Sequence, residues 1–238
     1  MSTDTTHLLH AGLILLGAWC CRMTFTSPNS TPNQKEQKMY EEYKAVDPLF
    51  LPTKLSGGMA QGFYYVLNAV ELANASGIEL PFKYLPAFLR PSRDMYISSP
   101  ERTIGLAFIV AGTALRILCY RYMQKNFTIE LAIRENHKLV TDGPYAYVRH
   151  PAYTAGVTVI VGCLMFNLGR GSWWAEYALS NHSPWLVIGV LQVIWGAVLL
   201  YVAVTRCSVE DDALREHFKE DWVRWAKKTP YRMVPSLF

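Results

Sequence analysis

The sequence of 238 residues is poor in charge, since Asp, Glu, Lys and Arg make up only 18% of it. A soluble domain of average composition carries about 25%. The sequence also lacks the compositions of disordered chains, of collagen-like repeats and of basic nucleic-acid-binding domains, with a net charge of only +4. Apolar residues account for 51% and are collected into runs. This composition argues against a water-soluble globule and favours a small polytopic membrane protein.

Patterns of metal-binding and disulfide-forming residues are missing as well. The five cysteines contain no Cys-x-x-Cys pair with zinc-type spacing, and their odd number argues against a secreted disulfide framework. We therefore predict no metal site and interpret the cysteines as small apolar filler. The leader before the first apolar run contains Asp4 and no Lys or Arg, which argues against a cleaved signal peptide.

Five apolar runs are candidates for crossing a membrane. A helix needs about 20 residues to cross about 30 Å of hydrocarbon, and the first run is the shortest. The small residues in these runs permit close contact between helices in lipid. We predict an all-α polytopic transmembrane helical bundle with about five spans. The runs are Leu8 to Arg22, Gly57 to Ile78, Thr103 to Met123, Tyr153 to Leu168, and Trp185 to Val204.

The residues after the last span form a charged tail. Acids, bases and aromatic residues alternate at helical spacing from Val209 to Lys228, which predicts a helix lying on the membrane surface or against the bundle. With five spans, the tail shares one side with the loops at 24–54 and 124–150. These three segments hold 15 Lys and Arg, against 5 on the other side, and the bias predicts that the tail faces the cytosol.

Two ionisable residues, Glu71 and Arg116, fall inside apolar runs. A charge near the bilayer centre costs at least about 2.5 to 3.5 kcal/mol, so such groups normally face a partner or a polar cavity. We expect the two residues to pair with each other and fix the packing of the helices. The alternative is that they line a substrate site.

Two separated motifs carry most of the functional information. The first runs from His137 to Tyr153 and reads HKLVTDGPYAYVRHPAY; the second contains Arg206, Glu210-Asp211, Leu214 and FKEDW from Phe218. Alone, the first is typical of a turn followed by an aromatic belt at the membrane interface. Alone, Arg206 and Glu210 are typical of an exposed ion pair four residues apart on a helix.

Together and in this order, the two motifs resemble those of the isoprenylcysteine carboxyl methyltransferase family. Its members carry His-x-Leu-Val, Gly-x-Tyr and Arg-His-Pro-x-Tyr, then a span, an Arg, paired acids and Phe-Gly-Glu-Glu-Tyr. The resemblance covers roughly residues 105–235. It divides the chain into N-terminal spans and loops at 1–102, poorly matched to the family, and a catalytic region at 103–238. The sequence departs from the family at Asp211, Lys219, Trp222 and Trp225.

The resemblance implies methyl esterification, with S-adenosylmethionine as the methyl donor, of the C-terminal prenylcysteine carboxylate of prenylated proteins. It implies a multi-pass protein of the endoplasmic reticulum membrane, whose cytosolic C-terminal helix completes the cofactor site. Arg206 would hold the acceptor carboxylate. The implied cofactor-binding residues are His137, Lys138, Leu139, Val140, Tyr145, His150, Pro151, Ala152, Tyr153 and Glu210, with Glu130 as a further candidate upstream.

The chemistry of methyl transfer suits residues of these types. S-adenosylmethionine carries a sulfonium cation and an ammonium group, which aromatic faces and a carboxylate such as Glu210 stabilise. The acceptor carboxylate is ionised at pH 7, because its unperturbed pKa is about 3.5, so no general base is required. Catalysis then consists of positioning the anion with Arg206 and excluding water. A farnesyl or geranylgeranyl chain would lie between helices in the bilayer.

Three alternatives remain open. A phospholipid or small-molecule N-methyltransferase would share the Arg-His-Pro region, but its amine acceptor would gain nothing from Arg206. A sterol-reductase-like enzyme would bind NADPH in a similar bundle and needs a set of basic residues for the phosphates, of which the sequence offers no more than Lys138 and Arg149. A non-catalytic membrane scaffold would not bind S-adenosylmethionine.

Overall fold

The computed structural model describes residues 3–31, 53–75, 99–129, 138–179 and 186–237. Helices account for most of these residues, and no strand occurs among them, which confirms the all-α prediction. Short 3₁₀ helices lie at Gln124–Asn126 and Gly143–Ala146, and a π-helix at Trp174–Leu179. The α-helices are α1 Thr3–Phe25, α2 Thr53–Ala75, α3 Pro100–Met123, α4 Pro151–Leu168, α5 Leu186–Phe218 and α6 Glu220–Lys228.

Helices α1 to α5 lie over the five predicted spans. In the described part of the chain, four helical segments are long and apolar enough to cross a membrane: Thr6–Phe25, Pro100–Asn126, Pro151–Leu168 and Leu186–Phe218. They therefore include the short first run. Helix α2 has the length but is not among the four; it carries Gln61, Asn68 and Glu71. The prediction of a polytopic membrane protein is confirmed.

The chain forms two compact units, each assembled from separate segments. The first contains residues 1–22, 58–111 and 158–197, and the second contains residues 23–57, 112–157 and 198–238. All five cysteines are buried free thiols, in agreement with their position in apolar runs. Both units draw on residues before and after position 102.

In the first unit, α3 and α4 approach each other closely at two glycines. A Cβ atom at Gly105 would lie 2.7 Å from the backbone nitrogen of Phe166, and one at Gly162 would lie 2.6 Å from the carbonyl oxygen of Gly105. Neither helix has room for a side chain at these positions. The small residues thus allow close helix contact here, as the sequence predicted.

A buried ion pair also holds the first unit together. The carboxylate of Glu71 accepts hydrogen bonds from Arg102 Nη2 at 2.7 Å and from the Trp173 backbone nitrogen at 2.6 Å, and it contacts His10 Nε2 at 3.0 Å. Arg102 Nη1 also donates to Gly171 O at 2.7 Å. Glu71 and Arg102 are 2% and 4% exposed. Every charge in the cluster therefore has a partner, as burial in an apolar environment requires.

The expected pairing of Glu71 with Arg116 is wrong. In the second unit, Arg116 Nη1 donates to Ala152 O at 2.7 Å, and its Nε donates to Tyr120 Oη at 3.1 Å and Thr24 O at 3.3 Å. Backbone carbonyls and a hydroxyl thus satisfy Arg116. Its guanidinium ties the start of α4 to α1 and α3.

Helix α5 extends far beyond the predicted span. Its 33 residues give a length of about 50 Å, since each residue adds about 1.5 Å, whereas the hydrocarbon core is about 30 Å thick. The prediction of one tail helix from Val209 to Lys228 is wrong, because α5 continues to Phe218 and α6 begins at Glu220. The break lies at Lys219, whose φ is +49°. Side chains other than glycine rarely adopt this conformation.

Replacing Lys219 by glycine should stabilise the protein. Lys219 is exposed and has a positive φ, so Lys219→Gly removes backbone strain without removing a buried contact. We expect a gain of about 1 kcal/mol in the free energy of unfolding. Thermal unfolding in detergent measures it, and Lys219→Ala, which removes the charge but keeps the strain, is the control. Equal stability of the two variants would contradict the strain argument.

Removing one partner of the buried pair in the first unit should be severely destabilising. Glu71→Gln leaves the Arg102 cation buried without its counter-ion, and such losses cost about 3 to 5 kcal/mol. The double variant Glu71→Gln with Arg102→Met removes both charges and should recover much of this loss. Thermal unfolding of the single and double variants measures the coupling.

The matched control for this ion pair is Arg170→Gln. Arg170 lies 4.0 Å from Glu101 in an exposed pair, where solvent screens the interaction. We expect no measurable change for this variant. A double variant no more stable than Glu71→Gln would show that the buried charges are not coupled.

Candidate functional site

The candidate site lies in the second unit, where the turn at Gly143–Ala146 leads into α4. Gly143 has a φ of +60°, and a Cβ atom added to it would collide with the ring of Tyr122. Only glycine fits both constraints. The turn directs Tyr145 inward, where it is 6% exposed, while Tyr147 remains 75% exposed. The Gly-x-Tyr element therefore places one of two nearby tyrosines in the core.

Tyr145 packs in an apolar cluster that joins the two sequence motifs. Its buried members are Tyr145, Cys119 and Trp225, and Trp225 Nε1 donates a hydrogen bond to Tyr145 O at 3.1 Å. Half-buried residues from both motifs pack against the cluster, namely Leu139, Val140, Ala152 and Trp222, together with Leu115 and Met123. Helix α6 thus covers the segment that contains the His-x-Leu-Val and Gly-x-Tyr elements.

His150 lies between two carboxylates of α5. Its Nε2 is 3.0 Å from Asp211 Oδ1, and its Nδ1 is 3.6 Å from Glu210 Oε2. The ring of Tyr153 is 5.8 Å from the His150 ring, and its hydroxyl hydrogen bonds to Glu210. The structure thus brings His150 and Tyr153 together with Glu210 and Asp211, although His150 and Asp211 are 61 positions apart in the sequence.

The surroundings of His150 favour its charged form. Burial lowers the pKa of the imidazole, but hydrogen bonds and charge interactions with Asp211 and Glu210 outweigh burial and raise the pKa to about 9. At pH 7 the ring is therefore a cation, and both of its nitrogens donate. Burial also raises the pKa of Tyr145 well above its usual value, so this hydroxyl keeps its proton.

Arg149 and Asp211 form a buried ion pair at the site. The sequence analysis did not include either residue among the predicted site residues. Arg149 Nε is 3.1 Å from Asp211 Oδ1, and Nη2 is 2.9 Å from Oδ2. Arg149 Nη1 donates to Thr229 O at 2.9 Å and Pro230 O at 2.6 Å. Both residues stand inside the recognised motifs, one in Arg-His-Pro and the other in the paired acids. The motifs therefore contain both residues, but the sequence alone suggests Arg149 only as a candidate for binding phosphate.

The two neighbouring acids differ in accessibility. The side chain of Asp211 is 4% exposed, whereas that of Glu210 is 26% exposed. Asp211 also accepts from Arg149, His150 and Arg232, so its oxygens are occupied. Glu210 is therefore the acid that is able to receive a ligand.

Arg206 lies on the same helix, one turn before Glu210. It is 7% exposed, and its charge interacts with Glu210 and Tyr153. Within the described residues, its guanidinium donates one hydrogen bond, from Nη2 to Ile129 O at 3.1 Å. A guanidinium has five N–H donors, and the described residues accept from one of them.

The other predicted site residues have different positions. Lys138 is exposed, Pro151 is fully buried at the start of α4, and Ala152 uses its carbonyl oxygen to hold Arg116. His137 and Glu130 lie outside the described residues. In the ranges that the structure describes, no group of three His, Cys, Asp or Glu side chains is arranged to hold a metal ion.

Features of these residues fit a ligand such as S-adenosylmethionine. The hydroxyl of Tyr145 and Nε1 of Trp222 are buried. Among the described residues, the Tyr145 hydroxyl has only the thiol of Cys119 as a hydrogen-bond partner, and Trp222 Nε1 has none. Buried polar atoms without partners are rare in folded proteins. Both belong to the cluster that contains Leu139 and Val140. A polar ligand with aromatic and charged parts would satisfy them while Glu210 receives an ammonium group.

Comparison with known proteins confirms the resemblance predicted from the motifs. Residues 104–172 match the model of the isoprenylcysteine carboxyl methyltransferase family. Protein-S-isoprenylcysteine O-methyltransferase B of Arabidopsis thaliana is 30% identical over 128 residues, which are 53% of this chain and 55% of the relative. Protein-S-isoprenylcysteine O-methyltransferase of Schizosaccharomyces pombe is 30% identical over 137 residues, 57% of this chain and 50% of the relative. The chain spans about half the length of these relatives.

A relative with a different name matches more of the chain. The 7-dehydrocholesterol reductase of Danio rerio is 25% identical over 183 residues, which are 75% of this chain but 32% of the relative. This similarity is in line with the sterol-reductase-like alternative that the sequence leaves open. It does not by itself distinguish between the two chemistries.

The charge of His150 should make stability depend on pH. Its pKa is about 6.5 in an unfolded chain and about 9 in the folded protein, so folding favours the protonated ring. This contribution to the free energy of unfolding is fully present below about pH 6.5 and is lost as the pH rises through about 9. Thermal unfolding measured between pH 6 and 10 should show this loss.

Replacing His150 with asparagine should remove that pH-dependent step. His217→Gln is the matched control, because His217 is exposed and contacts Phe218; this variant should keep the wild-type profile. A His150→Asn profile that still falls through pH 9 would assign the effect to another group.

Proposed function

We propose that the protein is an S-adenosylmethionine-dependent methyltransferase that esterifies the C-terminal prenylcysteine carboxylate of prenylated proteins. The observation that carries this proposal is the contact of His150 with both Glu210 and Asp211. The contact places the Arg-His-Pro-x-Tyr element beside the paired acids of α5. The proposed setting is the endoplasmic reticulum membrane, with the site on the cytosolic face.

The cofactor would be held by residues of both motifs. Glu210 would accept its ammonium group, and Tyr145, Tyr153 and Trp222 would face its cationic and aromatic parts. His150 keeps Glu210 in place and ionised, because the charged imidazole lies 3.6 Å from its carboxylate. When bound, S-adenosylmethionine supplies an electrophilic methyl group on a sulfonium. His137, Lys138 and Glu130 remain candidates for contacts from the segment before the turn.

Arg206 is the proposed catalytic residue. Its guanidinium would bind the acceptor carboxylate through two parallel hydrogen bonds, which fix the anion's position. The acceptor needs no deprotonation at pH 7, so the site requires orientation and exclusion of water rather than a base. Burial of Arg206 supplies the water-poor setting in which a carboxylate is a stronger nucleophile.

The charges disfavour an amine as methyl acceptor. Arg206 and the protonated His150 place two cations near Glu210. An amine accepts a methyl group only in its neutral form, which carries no charge for these cations to attract. A carboxylate has the opposite charge and is attracted by both. This balance supports esterification over N-methylation.

The similarity to 7-dehydrocholesterol reductase supports a second hypothesis, that the protein is a reductase. It would use Lys138 and Arg149 for the phosphates of NADPH. Arg149, however, is 9% exposed and is bound by Asp211 and two backbone carbonyls. Its guanidinium has little left to offer a phosphate, so methyl transfer is the better supported reaction.

Substitution of Arg206 tests the proposed reaction. Membranes containing the protein should transfer label from methyl-labelled S-adenosylmethionine to N-acetyl-farnesylcysteine, and base should release the label as volatile methanol. Arg206→Gln should lower kcat/KM for the acceptor by about 100-fold or more, as for loss of a group that stabilises transition-state charge. Arg206→Lys keeps the charge but loses the planar fork, so its activity should stay low.

Two matched variants sharpen this assay. Arg224→Gln removes an exposed guanidinium that pairs with Asp221 on α6 and should leave turnover unchanged, whereas Glu210→Gln should weaken binding of S-adenosylmethionine. Base-stable label in lipid would favour N-methylation, and oxidation of NADPH without methyl transfer would favour the reductase. Full activity of Arg206→Gln would refute the proposed role of Arg206.

A further inference from the structure

The segment of residues 229–233, here called the C-terminal strap, is bound along the start of α4. The carbonyl oxygens of all five strap residues accept hydrogen bonds from residues 149, 150 and 154, over 2.6 to 2.9 Å. Met233 is 4% exposed and packs against Ala203 and Cys207 of α5. The strap is thus part of the structure around His150, although no site residue was predicted in it.

One side chain of the strap extends this contact to the paired acids. Arg232 Nε is 3.1 Å from Asp211 Oδ2, and its Nη1 donates to Ser208 Oγ at 3.0 Å. The Arg232 side chain is 34% exposed, whereas Asp211 is 4% exposed. The opposite oxygen of Asp211, Oδ1, contacts His150 at 3.0 Å. Arg232 and His150 therefore share one carboxylate.

We propose that Arg232 is a positioning residue of the cofactor site, acting through Asp211 on the orientation and charge of His150 beside Glu210. This inference rests on the proposed function. Arg232 does not need to touch the cofactor. It fixes the Asp211 carboxylate from the solvent side, and its positive charge limits how strongly Asp211 stabilises a charged His150.

The charged and titratable groups around His150 determine the direction of the effect. Asp211 and Glu210 face it from α5, Tyr153 lies in the first turn of α4 directly after it, and Arg149 precedes it. Arg206 interacts with Glu210, and Arg232 with Asp211. Loss of Arg232 leaves Asp211 with one cation fewer, so the protonated imidazole becomes more favourable. The pH at which His150 loses its proton should then rise.

Arg232→Gln tests the proposal in the full-length protein in detergent or lipid nanodiscs. We expect the KM for S-adenosylmethionine to rise by about tenfold, the range for losing hydrogen bonds to a charged group at a partly exposed position. The kcat at saturating cofactor should change less, because the acceptor is held by Arg206. The alkaline midpoint of activity and of thermal stability should move to higher pH.

The matched control is Arg224→Gln. Arg224 pairs with Asp221 on the exposed face of α6, so this variant removes the same charge from the same tail without touching Asp211. It should behave as the wild type in KM and in its pH profile. Arg232→Lys keeps the charge but has a single ammonium, so its pH midpoint should stay near that of the wild type while its KM rises.

Ser208→Ala keeps the proposal falsifiable if Arg232→Gln fails to fold. It removes only the hydrogen bond to Arg232 Nη1, and we expect a rise of about threefold in the same KM. The proposal is overturned if Arg232→Gln matches Arg224→Gln. It is also overturned if KM rises while the alkaline midpoint stays in place, since that pattern indicates a structural role only.

Failure of the proposed function gives a different result. In that case the wild type neither binds S-adenosylmethionine nor transfers methyl groups, whatever the state of Arg232. The coupling between Arg232 and His150 is then still tested by thermal unfolding as a function of pH. An unchanged stability midpoint in Arg232→Gln overturns the coupling, and an upward shift supports it.

Discussion

The carboxylate of Asp211 is the interaction on which the rest of the site depends. It is buried and accepts hydrogen bonds from Arg149, His150 and Arg232, which come from the start of α4 and from the C-terminal strap. A buried carboxylate without such partners would cost several kcal/mol. The three cations and the acid therefore have to be assembled together. This requirement fixes the end of α5 against the Arg-His-Pro turn.

Adjacent positions on α5 allow two acids to have different roles. Successive residues of a helix point about 100° apart, so Asp211 faces the buried cations while Glu210 lies toward the accessible side. The exposed fractions of their side chains, 4% and 26%, record this difference. His150 bridges the two, because its two ring nitrogens face different carboxylates. Asp211, whose oxygens are occupied by hydrogen bonds, thus positions His150. His150 in turn positions Glu210, which is more accessible.

The sequence was sufficient to predict the fold class and to predict that the two motifs lie together. It was not sufficient to predict the partners of individual buried charges. Long apolar runs predict membrane helices directly, and two motifs of one family predict a common site. The partners of Glu71 and Arg116 depend on how helices are rotated against each other, which weak periodicity in an apolar run does not reveal. The helix break at Lys219 could have been predicted, because the family motif has glycine at this position. The positive φ of Lys219 explains the glycine, since glycine adopts this conformation without strain. The strap was missed because its contacts are mostly made by backbone carbonyls, which are present in any sequence.

The balance of charge around the site gives a physical reason for an anionic acceptor. Arg149, His150, Arg206 and Arg232 contribute four positive charges at pH 7, against two from Glu210 and Asp211. A bound sulfonium with an ammonium and a carboxylate adds a further net positive charge. Among the methyl acceptors considered, a carboxylate lowers this excess, whereas a neutral amine, the form of an amine that is able to attack a methyl group, leaves it unchanged. Arg206 is buried one turn before Glu210 on the same helix and interacts with its charge, so part of the excess charge lies where the proposed acceptor would bind. The electrostatics of the whole cluster therefore favour the proposed carboxylate acceptor, which we propose that Arg206 orients.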